Sequence, residues 1–340
     1  MLMATIKDVA KEAGVSVSVV SKAFNNYTDV NEQTRLRIFD IAKELNYTPN
    51  IVAKNLSSKK QRTVGLISSG VLNNNEKDTN AFDIFKGVYT VVEEDQYELS
   101  IFLIDSMKQK QKSYAQFCRE RNIGGAILQG IRTDDPYFKE LIDTNIPVVY
   151  VDIITGQENQ LVGSVSIDNA RASKEITSYL IEMNHRDIVI IAGTKETFVN
   201  KERIKGVKEA FTSYELELDD AIVFHADFSE ELAYEQAVSI LEKQRPTAFL
   251  CFSDLMAFGV IRAVKEAGLK VPEDISITGF DNLVFSNYTD PKLTTVQQDF
   301  IEIGKQSAIL LQKLMEDKVE TKQVFVEHEL IERESVRKLD

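Results

Sequence analysis

Two cysteines, three histidines and no apolar run near 18 residues occur in the 340 residues of this chain, and each shortage removes a class of protein. Cys118 and Cys251 have no CxxC spacing, so they read as buried thiols in a reducing compartment. His185, His225 and His328 lie far apart and offer no metal constellation. With neither a membrane-length segment nor a secretory signal, the expected location is the cytoplasm. No GxGxxG or P-loop follows the apolar runs VGLIS (64–68) or IVIIAG (188–193), and Gly124-Gly125 is too short to cradle a phosphate. Asp152, Asp168 and Asp281 belong to different loops with no His or Cys nucleophile beside them. The composition therefore speaks against an enzyme and against a cofactor. No low-complexity segment is present.

Charge is present but unevenly placed. The whole chain carries a formal −13, yet residues 1–62 are net +4 and the remaining 278 are net −17. A basic head on an acidic body allows phosphate contact at one end while repulsion keeps the rest dispersed. At this length the chain should also hold more than one core.

The head reads as a helix-turn-helix. In TIKDVAKEAGVSVSVVSKAFN, a helix begins at Thr5 with Asp8 as its capping-box partner and stops near Ala13, where Gly14 supplies a left-handed C′ residue. Ser16 then caps a second helix. Its Val20, Ala23 and Phe24 form the buried stripe, and Val17, Ser18, Ser21, Lys22 and Asn25 form the opposite face. That short, mostly polar face fits a DNA major groove; an ordinary surface helix is the plainer reading of the same spacing. A third helix is expected from Glu32 to Leu45, capped by Asn31, with Ile38, Ile41, Ala42 and Leu45 inward and Pro49 beyond its end. NIVAKNLS (50–57) is helix-capable but too short to be stable alone. SKKQR (58–62) is a basic linker.

From Thr63 onward apolar strand runs alternate with amphipathic helices. Strands are expected at 64–68, 98–104, 124–129 and 148–151. Helices are expected near 81–95, 109–121, 134–144 and 169–184. The alternation then repeats with strands at 188–193, 221–225, 248–252 and 275–280. Helices of this second series are expected from about Val199, near 229–244 and near 254–267. Continuous Val/Ile/Leu strands with helical crossovers imply parallel sheets covered on both faces. The fold class is α/β, with two doubly wound lobes, and such folds bind ligands beyond the carboxyl ends of their strands. Ser69, Gln129 and Asp152, each at a strand end, should converge there.

These residues resemble the lactose-repressor/galactose-repressor family of bacterial transcription factors along essentially the whole chain. The head matches through Thr5, Ile6, Asp8, Val9, Ala10, Ala13, Gly14, Val15, Ser16, Val20 and Ser21. Tyr47-Thr48-Pro49-Asn50 and Val52-Ala53-Lys54-Asn55-Leu56 match the hinge segment. In the body the resemblance rests on Asn184-His185-Arg186, Val271-Pro272-Glu273-Asp274-Ile275-Ser276, Gly279-Phe280-Asp281 and Leu293-Thr294-Thr295-Val296. Val19 stands where Thr is usual, Lys22 where Arg is commoner, and Asn26 where Gly is frequent.

The resemblance implies a helix-turn-helix domain (1–49), a hinge helix and linker (50–62) and a periplasmic-binding-protein-like body (63–340) for effector binding and dimerisation. One lobe would take about 63–168 and 297–325, the other about 169–296 and 326–340. Without a leucine heptad tail the expected assembly is a homodimer on a pseudo-palindromic operator in double-stranded DNA. Ser18, Lys22 and Asn25 are candidates for base edges, beside Val17 on the same face. Ser16, Ser21, Thr34, Tyr47 and Asn50 suit phosphates. Ala53 lies in the hinge segment, and the resemblance gives Leu56 the role of a minor-groove wedge; alone, such a leucine would read as a packing residue.

For the effector, the resemblance adds Arg203, Phe228, Ser253, Asp281 and Phe300, with Arg203 and Asp281 expected at the cleft mouth. A carboxylate with a guanidinium suits vicinal hydroxyls, so a sugar or sugar phosphate is the expected ligand. Each of these residues also has a plain structural reading, Gly-Phe-Asp as a turn and Arg203 as a surface ion pair. The resulting function is a transcriptional regulator, most simply a repressor of carbohydrate genes. A purine-type corepressor-dependent regulator and a cytosolic sugar-binding protein without DNA activity remain the competing classes.

Overall fold

The computed structural model describes residues 4–24, 27–48, 62–69, 79–95, 97–140, 144–154 and 159–340. It divides into two compact units, Met1–Arg62 and Thr63–Asp340.

In the first unit α1 (Ile6–Ala13) opens with a capping box in which Thr5 N–H donates to Asp8 Oδ2 at 2.8 Å. It closes on Gly14 at φ 63°, a conformation that costs glycine nothing. Two residues later Ser16 Oγ accepts from Val19 N–H at 3.3 Å, and α2 (Val17–Phe24) begins. Asn31 Oδ1 accepts from Thr34 N–H at 2.8 Å and starts α3 (Glu32–Glu44). Val9, Ala13, Val20, Ala23, Ile38 and Ala42 form the core of this unit. Phe24 is only partly buried; its ring lies 5.1 Å from that of Phe39 and 5.9 Å from that of Tyr47.

The second unit begins with β1 (Thr63–Ser68), α4 (Asn80–Glu94) and β2 (Glu98–Leu103). Then follow α5 (Ser106–Gln111), α6 (Tyr114–Glu120), β3 (Gly125–Gln129), α7 (Pro136–Glu140), β4 (Val148–Val151) and β5 (Val162–Ser166). The helix expected at 109–121 is thus two helices, because Lys112 is extended and Ser113 Oγ accepts from Gln116 N–H to cap a new one. The strand β5 had no counterpart in the sequence reading: VGSVS has two serines and no apolar run, yet every residue of it is buried.

The chain continues through α8 (Asn169–Glu182), β6 (Ile188–Ala192), α9 (Phe198–Ser213), β7 (Val223–His225), α10 (Glu230–Leu241), β8 (Ala248–Cys251) and α11 (Asp254–Glu266). It ends with β9 (Ser276–Asp281), β10 (Thr294–Gln298), α12 (Phe300–Met315), β11 (Gln323–Phe325) and β12 (His328–Ile331). The 221–225 segment opens as a 3₁₀ turn, Asp220–Ile222, which shortens β7.

Two six-stranded sheets result, in the orders β11-β5-β4-β3-β1-β2 and β12-β10-β9-β8-β6-β7. All pairings are parallel except β10 with β12. The chain crosses between sheets three times: after Ser166, after Gln298 and after Phe325. Close helix pairing locks each lobe. A Cβ on Gly87 would sit 2.0 Å from Ile301 O, so α4 and α12 approach at backbone distance. Parallel strands buried on both faces put every strand's carboxyl end toward the same edge of its sheet, and those edges frame the cleft between the lobes.

Candidate functional site

A cavity of about 410 Å³ lies between the strand ends of the two lobes, within the range of about 300–1,000 Å³ usual for small-molecule sites. Ser69, Gln129 and Asp152 line it from the first lobe, with Phe300 at the start of α12. Arg203, Phe228, Ser253 and Asp281 line it from the second. All eight residues singled out from the sequence for this cleft are therefore on its wall. So are Asn80, Arg132, Phe198 and Gln298, for which no sequence signal stood out. A wider depression over α8 and α9 is a shallow surface groove lined by Lys174, Lys201, Lys205 and Lys208, away from any strand end.

Arg203 is not at the cleft mouth. It is 3% exposed and fixed in the floor. Its Nε donates to Asn169 Oδ1 at 2.9 Å, its Nη1 to Phe252 O, and its guanidinium stacks 3.6 Å from the centroid of Phe280. Asp281 Oδ1 lies 3.9 Å from Nη2 and accepts from Gln298 Nε2 at 2.7 Å. On the other side Asn169 Nδ2 donates to Ser166 Oγ at 3.1 Å, and Ser166 Oγ donates to Asp152 Oδ1 at 2.9 Å. One polar chain thus runs from Asp152 through the first crossover to Arg203 and on to Gln298 before the second. Burial pushes the Asp152 carboxyl up, opposed by the Ser166 bond and the charge of Arg203. Burial likewise lowers the Arg203 guanidinium, opposed by Asp281, Asp152 and Asp254.

Backbone strain collects at the same strand ends. Asp152 (φ 61°), Asp227 (49°), Phe228 (57°) and Asp281 (112°) all have positive φ. For Phe228 this is an unfavourable geometry that the surroundings must impose. The Phe228 ring lies against Gly193, where an added Cβ would meet ring carbons at 2.1 Å.

The lobes also touch at the rim. Thr133 Oγ1 donates to Glu196 O at 2.7 Å, Lys201 Nζ donates to Thr133 Oγ1 at 3.3 Å, and Arg132 Nη2 lies 3.6 Å from Glu196 Oε2. Phe198, at the first residue of α9, packs on the first-lobe cluster that contains Ile131, Tyr137 and Ile153.

In the first unit, Val17 and Ser18 are exposed and Ser21 and Lys22 partly so, on the part of α2 left uncovered by the buried Val20 and Ala23. Lys22 Nζ is ion-paired with Asp29. Ser16 and Thr34 sit at the starts of α2 and α3, Ser16 as an N-cap through its hydroxyl. Tyr47 is partly buried against Phe24. Asn25, Asn50, Ala53 and Leu56 lie outside the described residues.

Both thiols are buried and neither is in a disulfide. Burial pushes Cys118 up to about 12 and Cys251 well above its ordinary value, so neither is a thiolate near neutrality. Among the described residues no helix is long and apolar enough to cross a membrane.

Residues 5–50 match the family model of bacterial regulatory proteins, lacI family, and residues 177–336 match that of a periplasmic binding protein-like domain. The HTH-type transcriptional repressor PurR of Vibrio atlanticus is 32% identical over 343 residues, spanning 99% of this chain and 100% of the relative. The HTH-type transcriptional regulator MalR of Clostridium butyricum is 31% identical, spanning 97% and 98%. Among solved structures, a CelR–cellobiose complex superposes with a TM-score of 0.74 at 27% identity, over 98% of this chain and 99% of that one. The Lac repressor bound to ONPG gives 0.84 at 25%, over 98% and 100%. These relatives are regulators of transcription rather than enzymes. With a helix-turn-helix ahead of a two-lobed, cleft-bearing body, and with relatives of this identity over its full length, the chain belongs to the lacI family of bacterial regulatory proteins and is a DNA-binding transcriptional regulator.

Proposed function

We propose that this regulator is a cytoplasmic repressor of carbohydrate-utilisation genes whose operator affinity is switched by a sugar-like effector bound between the lobes. The observation that carries the reading is the polar chain from Asp152 to Arg203 and Asp281, which joins both lobes across a crossover at the floor of a ligand-sized cavity. Vicinal hydroxyls suit a carboxylate acceptor beside a guanidinium donor, and the face of Phe228 suits the C–H face of a pyranose. The cellobiose bound by CelR and the name MalR point the same way. A ligand that holds the lobes closed shifts operator affinity only through its different affinity for the two arrangements.

In the head, the proposed base contacts are Ser18 and Lys22 with Val17 beside them, and the proposed phosphate contacts are Ser16, Ser21, Thr34 and Tyr47. Asn25, Asn50, Ala53 and Leu56 complete the proposed DNA set. Two such heads would read a pseudo-palindrome from a homodimer. Support for pairing comes from the exposed apolar side chains Ile101 and Leu103 on the edge strand β2 and Phe82 and Tyr89 on α4, a face that a lone protomer would leave prone to association.

The test is a mobility shift of the purified protein on DNA upstream of its own gene, repeated with sugars and with purines. Retarded DNA released by a sugar supports the reading. Retardation strengthened by a purine replaces it with a corepressor mechanism, and no retardation leaves a sugar-binding protein.

A further inference from the structure

Resting on the sugar-effector reading, we infer that the cleft selects an uncharged, hydroxyl-rich ligand and rejects its phosphate ester. The polar wall combines carboxylates with hydroxyls and amides. Gln129 and Gln298 are 5% and 6% exposed, and each amide commits one of its two N–H donors to the protein. Gln129 Nε2 donates to Ser68 Oγ at 2.8 Å and Gln298 Nε2 to Asp281 Oδ1 at 2.7 Å. Both Oε1 atoms are left buried without a hydrogen-bond partner. Covered in this way, the two amides shape the wall, and the choice between a neutral and an anionic ligand falls to its charged groups.

The charges on the wall agree. Among the described residues lining the cavity, the carboxylates are Asp152, Asp227 and Asp281 and the cations are Arg132 and Arg203. Neither cation is uncommitted. Arg132 forks onto Asp134 through Nε at 2.8 Å and Nη2 at 2.9 Å, with Glu196 close by. Arg203 is held by Asn169 and Phe252 and faces Asp281. A phosphate would meet repulsion from Asp152 and Asp281 in a water-poor floor where screening is weak. Helix N-termini do point toward the cleft and would favour an anion. Three of them already carry a carboxylate in the cap or first turn: Asp83 on α4, Asp254 on α11 and Asp299 with Glu302 on α12. The fourth, on α9, begins at Thr197, whose hydroxyl donates to Thr194 O at 2.8 Å.

The experiment is calorimetric titration of the full-length protein with matched pairs: glucose, ribose, maltose and cellobiose, each against its own phosphate ester, with inorganic phosphate and guanine as separate arms. The expected result is that at least one neutral sugar binds and its ester binds at least about tenfold more weakly, with no binding of inorganic phosphate. In Asp152→Asn, which keeps an Oδ1 acceptor for Ser166 and a residue type at ease at φ 61°, the handicap of the ester should shrink several-fold. A phosphate ester binding as tightly as its sugar, or an unchanged ratio in Asp152→Asn, overturns the inference and leaves the sugar reading standing. Binding of guanine with no sugar or ester binding overturns both.

Discussion

Arg203 Nη2 and Asp281 Oδ1 face each other across 3.9 Å at the floor of the cleft, a separation longer than a hydrogen bond although both side chains are buried. Each is pinned from behind, Arg203 by Asn169, Phe252 and the ring of Phe280, Asp281 by Gln298. A donor and an acceptor held apart by their own supports are preorganised for a group that meets both. Little of the ligand's binding energy is then spent on reorienting them.

Asp281→Asn keeps the Oδ1 that Gln298 uses but removes the charge. Effector affinity should fall by about 1.5–3 kcal/mol, while operator affinity without effector should hardly change. Calorimetry with the bound sugar and a mobility shift without it measure the two quantities. Wild-type effector affinity in the variant would return Asp281 to a purely structural role. Arg203→Lys should behave differently, because it strands the Asn169 and Phe252 oxygens and so lowers the urea midpoint as well.

Lys22 must leave Asp29 before it can reach a base. Lys22→Ala should weaken operator binding by roughly 1–3 kcal/mol per half-site, mostly at one or two symmetric base pairs. Asp29→Asn should strengthen binding slightly on every sequence, since it frees the cation and removes a negative charge near the phosphates. Equal losses on all sequences for Lys22→Ala would assign the lysine to phosphate instead.

Asp254 carries a pH signature. It accepts from Leu283 N–H, Ser286 Oγ and Thr295 Oγ1 at 2.7, 2.5 and 2.6 Å, yet burial outweighs these donors and pushes its carboxyl from 3.8 up to about 6. As pH rises from about 4 to 6 the unfolded chain releases this proton before the folded one does. The folded state then holds more protons, so this group's contribution to stability falls through that window, by about 3 kcal/mol in all. Asp254→Asn should lack the fall. Denaturation curves collected across the window test it, and parallel pH profiles for the two proteins would refute it.

At the rim, Phe198→Ala removes the ring that α9 packs onto the first lobe, and Thr133→Val removes the hydroxyl bonds to Glu196 and Lys201 while leaving the backbone bond to Glu196 O. Both should speed release of a bound sugar by roughly 3- to 30-fold, equivalent to about 0.7–2 kcal/mol lost from the closed arrangement, with overall stability less affected. Stopped-flow dissociation would show it. Unaltered release rates would mean that the rim contacts do not hold the closed state.

Much of this protein is local in origin, and that part was legible in the sequence. The Thr5/Asp8 box, Gly14, Ser16 and Asn31 act within four residues of themselves, so the helices of the head follow from spacing alone. Buried parallel strands announce themselves as apolar runs, which is why the two βα series could be read. Strand ends gave three residues, Ser69, Gln129 and Asp152, and the resemblance five more, all of which the fold gathers around one cavity. What only the tertiary structure decided is non-local. VGSVS becomes a buried strand because neighbours on both sides offer it hydrogen bonds, not because of its own hydrophobicity. Phe228 accepts a positive φ because Gly193 leaves room for its ring. Arg203 sits in the floor rather than at the mouth because Asn169 and the carbonyl of Phe252, 34 and 49 residues away in sequence, hold it there. Gln129 and Gln298 are oriented by Ser68 and Asp281, 61 and 17 residues away in sequence, each of which takes one amide hydrogen. Spacing along a chain specifies partners a few residues apart; the orientation of a buried polar group depends on atoms that the fold alone brings to it.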